Sequence, residues 1–263
     1  MGGSNSFITC CLQSKGFPEG LEILSISPYN RMSERDMRGL LGTVASSYRE
    51  LRKMRVDCTF SPAVGMLPDV NPDSLSLLGA LSGQRNLTFF EFIHCPSNQV
   101  VDEEILRFVR HCPQLEELRI TPNNPTLERI ETMTRLSLNA LLLLSNEPNN
   151  LRSLTLRVHV ATAGEVPATD AVGDHLKNLQ RISLPYSSVG LGLGDDASVQ
   201  SIGTFIKQCL SRDCICESVE RPRNILSHGY SSSDHEEFDR NLDVWKRIWG
   251  IVVSPSRLVQ FSS

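Results

Sequence analysis

The feature that most constrains this chain is a recurrence. Six segments share one pattern: leucine, two variable residues, an apolar residue, one variable residue, an apolar residue. They are Leu21-Glu-Ile-Leu-Ser-Ile26, Leu51-Arg-Lys-Met-Arg-Val56, Leu87-Thr-Phe-Phe-Glu-Phe92, Leu115-Glu-Glu-Leu-Arg-Ile120, Leu151-Arg-Ser-Leu-Thr-Leu156 and Leu179-Gln-Arg-Ile-Ser-Leu184. Their first leucines stand 30, 36, 28, 36 and 28 residues apart, room for one short strand, one helix and two loops. Self-similarity at such a period marks an architecture in which each unit buries its apolar side against its neighbours.

The stretches between the strands carry apolar residues at helical spacing behind helix-start signals. Ser33-Glu-Arg-Asp36 opens a run with Met37, Leu40, Leu41 and Val44, and Pro72-Asp-Ser74 opens one with Leu75, Leu77, Leu78 and Leu81. Asp102-Glu-Glu104 precedes Ile105, Leu106, Phe108 and Val109, with acids at the positive end of the helix dipole. Further helices are expected around 134–145, 168–177 and 196–211, the last capped by Asp195 and Asp196. A strand, a crossover helix and a parallel strand build either a doubly wound sheet or a solenoid. In a doubly wound sheet strands are buried on both faces and read as unbroken apolar runs. Here Arg52-Lys-Met-Arg-Val-Asp57 alternates, so helices are expected to cover one face only. The expected fold is therefore α/β: a leucine-rich-repeat horseshoe, a right-handed β-α solenoid with a parallel sheet on the concave face and helices on the convex face. The expected organisation is an N-terminal extension at 1–20, the solenoid at 21–220, a linker at 221–233 and a capping helix with a tail at 234–263. Phe238, Leu242, Trp245, Ile248 and Trp249 form the apolar stripe of that cap.

Two segments also resemble a known family. Phe108-Val-Arg-His-Cys-Pro-Gln-Leu-Glu-Glu-Leu-Arg-Ile120 and Leu176-Lys-Asn-Leu-Gln-Arg-Ile-Ser-Leu184 are similar to the irregular repeats of F-box leucine-rich-repeat proteins, especially fungal ones. The resemblance covers roughly residues 20–220. It implies repeats that hold a protein substrate for a ubiquitin ligase, while a separate N-terminal F-box docks on a Skp-type adaptor. Phe17-Pro-Glu-Gly-Leu-Glu-Ile-Leu24 is the nearest match to an F-box start, but Gly20 falls where a helix former belongs and Ser27-Pro-Tyr-Asn30 reads as a turn. No F-box is therefore expected, and adaptor binding is not expected without one.

If the first, fourth and sixth positions of each strand face the core, the third, fifth and seventh project from the concave face. The expected partner-binding residues are Lys53, Arg55, Asp57, Phe89, Glu91, Glu117, Arg119, Thr155, Arg157 and Arg181, with Ile93, Thr121, Ser153 and Ser183 in the same columns. Phenylalanine and arginine on a rigid surface are residue types that dominate interfaces. In this register Phe89 is an exposed aromatic with no packing role. The chain carries 26 basic and 30 acidic residues, for a net charge of −4, which supplies no positive field for phosphate backbones and excludes nucleic acid as a principal partner. No G-x-S-x-G elbow or H-E-x-x-H occurs, so no catalytic residue is assigned and no enzymatic activity or cofactor is expected.

No run approaches the 18 apolar residues of a membrane span, and the first twenty residues hold no apolar core behind a basic start, so neither a span nor a secretory signal is read. A cytoplasmic or nuclear protein with cysteines as free thiols follows. Met1-Gly-Gly-Ser-Asn-Ser6 satisfies the myristoylation form, with Cys10 and Cys11 as neighbouring palmitoylation candidates. Gly2, Cys10 and Cys11 thus define the alternative reading, a lipid-anchored scaffold at a membrane surface. Cys209, Cys214 and Cys216 lack the paired spacing of a zinc site and are read as core residues beside a last strand, Cys214–Val219, so no metal is assigned.

Overall fold

The computed structural model is described for residues 20–27, 34–57, 77–95, 100–122, 136–185, 187–190, 192–219, 232–253 and 258–261. Each recurrent segment yields a strand. They are β1 (Ile23–Ile26), β2 (Lys53–Asp57), β3 (Phe89–Cys95), β4 (Glu117–Pro122), β5 (Ser153–Thr155) and, after a two-residue strand β6 (His159–Val160), β7 (Arg181–Ser183). The chain continues through β8 (Ser188–Val189), β9 (Ile215–Val219) and β10 (Leu258–Phe261). Eight of these form one sheet in the order β1-β2-β3-β4-β5-β7-β9-β10, all parallel, so spatial order follows chain order. The two short strands β6 and β8 pair with each other in a separate ladder.

Five α-helices are described: α1 (Glu34–Ser47), α2 (Asp102–His111), α3 (Asn139–Asn146), α4 (Asp196–Cys209) and α5 (Ser232–Val252). In α1 the stripe Met37, Leu40, Leu41 and Val44 is wholly buried. In α2 three acids open the first turn and Arg110 and His111 close the last, matching the macrodipole at both ends. Glu104 Oε2 accepts the Val101 N–H at 3.3 Å, reaching back over the helix start. Asp195 caps α4, accepting the Ser198 N–H at 2.9 Å and its hydroxyl at 2.7 Å. Helix and strand residues share one continuous core. Met54, Val56, Phe90, Phe92, Leu118 and Leu154 from the sheet lie in it with Leu41, Phe108, Leu144 and Ile206 from the helices. Burying a leucine-sized side chain stabilises a fold by about 1.5–3 kcal/mol, so this one-sided core is what holds the strands in register. The alternate strand residues face the other way and are left outside it.

Two expectations are corrected, and a third falls largely outside the described residues. The stretch 168–177 is not an α-helix; it folds as the 3-10 turns Thr169–Ala171 and His175–Asn178, preceded by another at Ala163–Glu165. Gly164, Pro167 and Gly173 punctuate this segment, and Gly and Pro cost roughly 1 and 3 kcal/mol inside an α-helix. The helix expected at 72–81 is described only as the 3-10 turn Gly79–Leu81, since residues 58–76 lie outside the described residues. The C-terminal helix does not end the fold. It starts at Ser232, inside the expected linker, and the chain then enters β10, which pairs in parallel with β9. The helix is thus the connection between two paired strands. Its Asn241 Oδ1 accepts the Val189 N–H at 3.1 Å, and Arg247 donates to the Gly194 carbonyl at 2.7 Å and pairs with Asp196. Trp245 and Trp249 are both buried, with ring centroids 6.1 Å apart.

Candidate functional site

The face of the sheet turned away from the core is the candidate site. The parallel register aligns its side chains into rows. One row runs Ile23, Lys53, Phe89, Glu117, Ser153, Arg181, Ile215, each residue the direct partner of the next across neighbouring strands. A second runs Ser25, Arg55, Glu91, Arg119, Thr155, Ser183, Glu217. A shorter third joins Asp57, Ile93 and Thr121.

Of the expected residues, Lys53, Arg55 and Arg181 are exposed, and Asp57, Phe89, Glu91, Glu117, Arg119 and Thr155 are half-buried on this face. Arg157 is not on it. Its residue is 3% exposed, and Leu156 and Val158 on either side are buried as well. The reason is local: β5 ends at Thr155, so no ladder continues the alternation, and the Val158 N–H instead donates to Ser187 Oγ at 3.0 Å as the chain turns into β6. Ser183 is likewise buried. Ile23, Ser25, Ile215 and Glu217 belong to the face and were not among the expected residues. The rule that located the others applies to them unchanged once β1 and β9 are counted as strands of the same sheet.

Ion pairs tie the rows together. Glu91 lies between two arginines, with Arg55 Nη1 at 3.3 Å from one carboxylate oxygen and Arg119 Nη1 at 3.8 Å from the other. Arg119 Nε also donates to Glu117 Oε1 at 2.6 Å. Further along, Arg181 Nε stands 3.0 Å from Glu217 Oε1. Phe89 is not a bare aromatic after all, because the Arg119 guanidinium sits over its ring at 5.8 Å from the centroid, a cation–π contact that half-covers it. Side chains from β2, β3 and β4 therefore form a connected charged layer, and β7 and β9 carry a separate pair.

Cys112, Cys209, Cys214 and Cys216 are free and buried. Burial pushes the Cys112 and Cys209 thiols up to about 12, and Cys216 is pushed up by its hydrogen-bonding contact with Cys214 and by burial. Among the described residues no three His, Cys, Asp or Glu side chains are placed to hold a metal ion, and no helix is long and apolar enough to cross a membrane. His159 Nδ1 lies 2.7 Å from Ser188 Oγ, a serine–histidine pair across β6 and β8, but Ser188 is buried and its position joins the two strands. Gly2, Cys10 and Cys11 lie outside the described residues.

No protein-family model matches the chain, and comparison with curated proteins finds no match. Among solved structures, the leucine-rich-repeat-containing protein LegL7 from Legionella pneumophila is similar over 98% of this chain and 69% of its own, at 17% identity and a TM-score of 0.45.

Proposed function

We propose that this chain is a non-enzymatic protein-interaction module, a leucine-rich-repeat solenoid whose open sheet face is concave and holds a protein partner. The observation that carries the reading is the sheet itself. Strands in chain order bury one face in the core, while the other presents aligned, mutually braced side chains from at least five strands. Contiguous rigid surfaces bearing arginine and an aromatic are what interface cores are made of. The resemblance to the substrate-holding repeats of F-box proteins points the same way, to a receptor surface. It further leads us to expect that the purified chain does not bind a Skp-type adaptor, since adaptor docking belongs to a separate helical module.

The test is proximity labelling in the native cell, comparing the wild type with a Phe89→Ala/Arg119→Ala variant and with an Arg107→Glu/Lys207→Glu variant altered on exposed helix positions of α2 and α4. The open-face variant should lose specific neighbours while the helix variant keeps them. Equal loss, or no loss, in both would refute the reading.

A further inference from the structure

The open face balances its formal charges, with Lys53, Arg55, Arg119 and Arg181 against Asp57, Glu91, Glu117 and Glu217, but not its depths. In the ion pairs the arginine side chains of Arg55, Arg119 and Arg181 are 50%, 37% and 47% exposed, whereas the carboxylates of Glu91, Glu117 and Glu217 are 12%, 26% and 18% exposed. The acids are recessed and the guanidiniums stand above them. We propose that this face takes an extended acidic segment of a partner protein, its carboxylates meeting Arg55, Arg119 and Arg181. The proposal rests on the interaction reading above and names the chemistry of the partner.

Three physical arguments support it. A guanidinium has five N–H donors in a rigid fork, and the intramolecular pairs occupy only part of each: Nη1 of Arg55, Nε of Arg181, and on Arg119 the contacts to Glu117 and Glu91. Donors remain for a carboxylate arriving from solvent. Second, the recessed acids and the Phe89 ring hold the guanidiniums in place before any ligand arrives, which removes part of the side-chain ordering cost of association. Third, the spacing suits an extended chain. Arg55 and Arg119 share a row two strands apart, on the order of 10 Å at about 4.8 Å per strand, and a chain in the extended polyproline-II conformation, rising about 3.1 Å per residue with about three residues per turn, places acids three positions apart on one face at close to that distance. Arg181 continues the pattern two strands beyond Arg119, one row across. Because the whole chain carries a charge of −4, long-range steering does not recruit an acidic partner; recognition depends on these short-range donors.

The experiment is selection of a random-peptide display library on the immobilised full chain, with fluorescence anisotropy of the recovered peptides. Recovered sequences should be enriched in Asp and Glu over the input, with acids recurring at about every third position. Their affinity should fall at least about tenfold when Arg55, Arg119 and Arg181 are replaced by Gln, and further when replaced by Glu, at unchanged melting temperature. The Gln set keeps the test decisive if the Glu set fails to fold. Binding should also weaken as salt rises from about 0.05 to about 0.5 M, since exposed charges are screened over that range. Recovery of basic, uncharged or no enriched peptides overturns the proposal. So does equal affinity of the Gln variant, or binding only when the acids are replaced by phosphoserine. If face-dependent labelling in the cell persists alongside such a result, the acidic-partner inference falls and the interaction reading stands. If labelling is indifferent to the face, both fall.

Discussion

Two connections in this molecule have equal length and different structures. From Leu87 to Leu115 and from Leu151 to Leu179 the chain advances 28 residues, and each interval joins neighbouring strands of the same sheet, β3 to β4 and β5 to β7. The first interval folds as the helix α2, whose Phe108 packs on Phe90 with ring centroids 5.1 Å apart. The second folds as three 3-10 turns and the strand β6, which pairs with β8 outside the main sheet. The step to the neighbouring strand is therefore the same with either filling, and composition sets what fills it. Three acids, an amphipathic core of Ile105, Leu106, Phe108 and Val109 and no internal glycine give a helix; Gly164, Pro167 and Gly173 do not. The two connections are also held differently. Both place side chains in the core, Leu156, Val158, Val160 and Leu176 in the second, but the second also depends on close backbone approach, because a Cβ at Gly173 would stand 2.3 Å from the Ser145 carbonyl oxygen and one at Gly190, just beyond β8, 2.2 Å from that of Ala161.

If side-chain packing holds the helical connection, the largest effect belongs to Phe90→Ala. It removes a fully buried ring lying against Phe92 and Phe108, and should cost about 3–5 kcal/mol in denaturant unfolding. A cost near that of a surface change would show that α2 does not depend on this contact. For the turn-filled connection, Gly190→Ala should cost about 1–3 kcal/mol, since the added methyl meets backbone that cannot rotate away. A neutral outcome would mean that β6 and β8 are not held at this distance in solution.

A pH-dependent effect sharpens the comparison on the helical side. Asp102, in the first turn of α2, accepts the Ser137 N–H at 2.8 Å and the Ser137 hydroxyl at 2.6 Å, tying this connection to the segment before α3. Burial raises its pKa above the ordinary value, and the Ser137 hydrogen bonds only partly offset that. The native state therefore holds this proton more tightly than the unfolded chain. Its stabilising contribution is full below the ordinary carboxylate value of about 3.9 and is lost as pH rises through that value toward the native one. Measured against Asp102→Asn, the wild type should lose relative stability over this range. A gap that moves in favour of the wild type as pH rises would show that the hydrogen bonds outweigh burial.

Smaller effects test where glycine is not required. A methyl group added at Gly39 in α1 would meet nothing within 4 Å, so Gly39→Ala should gain about 0.5–1 kcal/mol, opposite in sign to Gly190→Ala. The smallest effect is expected at the open face. Arg181→Ala breaks a half-exposed pair with Glu217 and should shift stability by no more than about 1 kcal/mol, because solvent screens such pairs. A large loss of melting temperature there would make the face part of the fold's support and not a free surface.

The recurrence Leu-x-x-apolar-x-apolar determined the strands β1 to β5 and β7, their order and the choice of buried face, because period-two alternation is a property of the backbone and each strand repeats it. The same alternation located Lys53, Arg55, Phe89, Glu91, Glu117, Arg119, Thr155 and Arg181 on the open side. It failed at Arg157, because β5 ends at Thr155 and no ladder carries the alternation on; Ser183 keeps its place in the row between Thr155 and Glu217 but is buried there. Leu258-Val-Gln-Phe-Ser-Ser263 starts the pattern but has serine at its sixth position, and only the pairing of Leu258–Phe261 with β9 made it part of the sheet. The recessed position of Glu91 between Arg55 and Arg119 was likewise beyond the sequence, because it depends on three side chains 36 and 28 residues apart meeting across adjacent strands. Alternation says which side of the sheet a residue takes; how far its charge stands out from that side is decided by the neighbours that parallel pairing brings beside it.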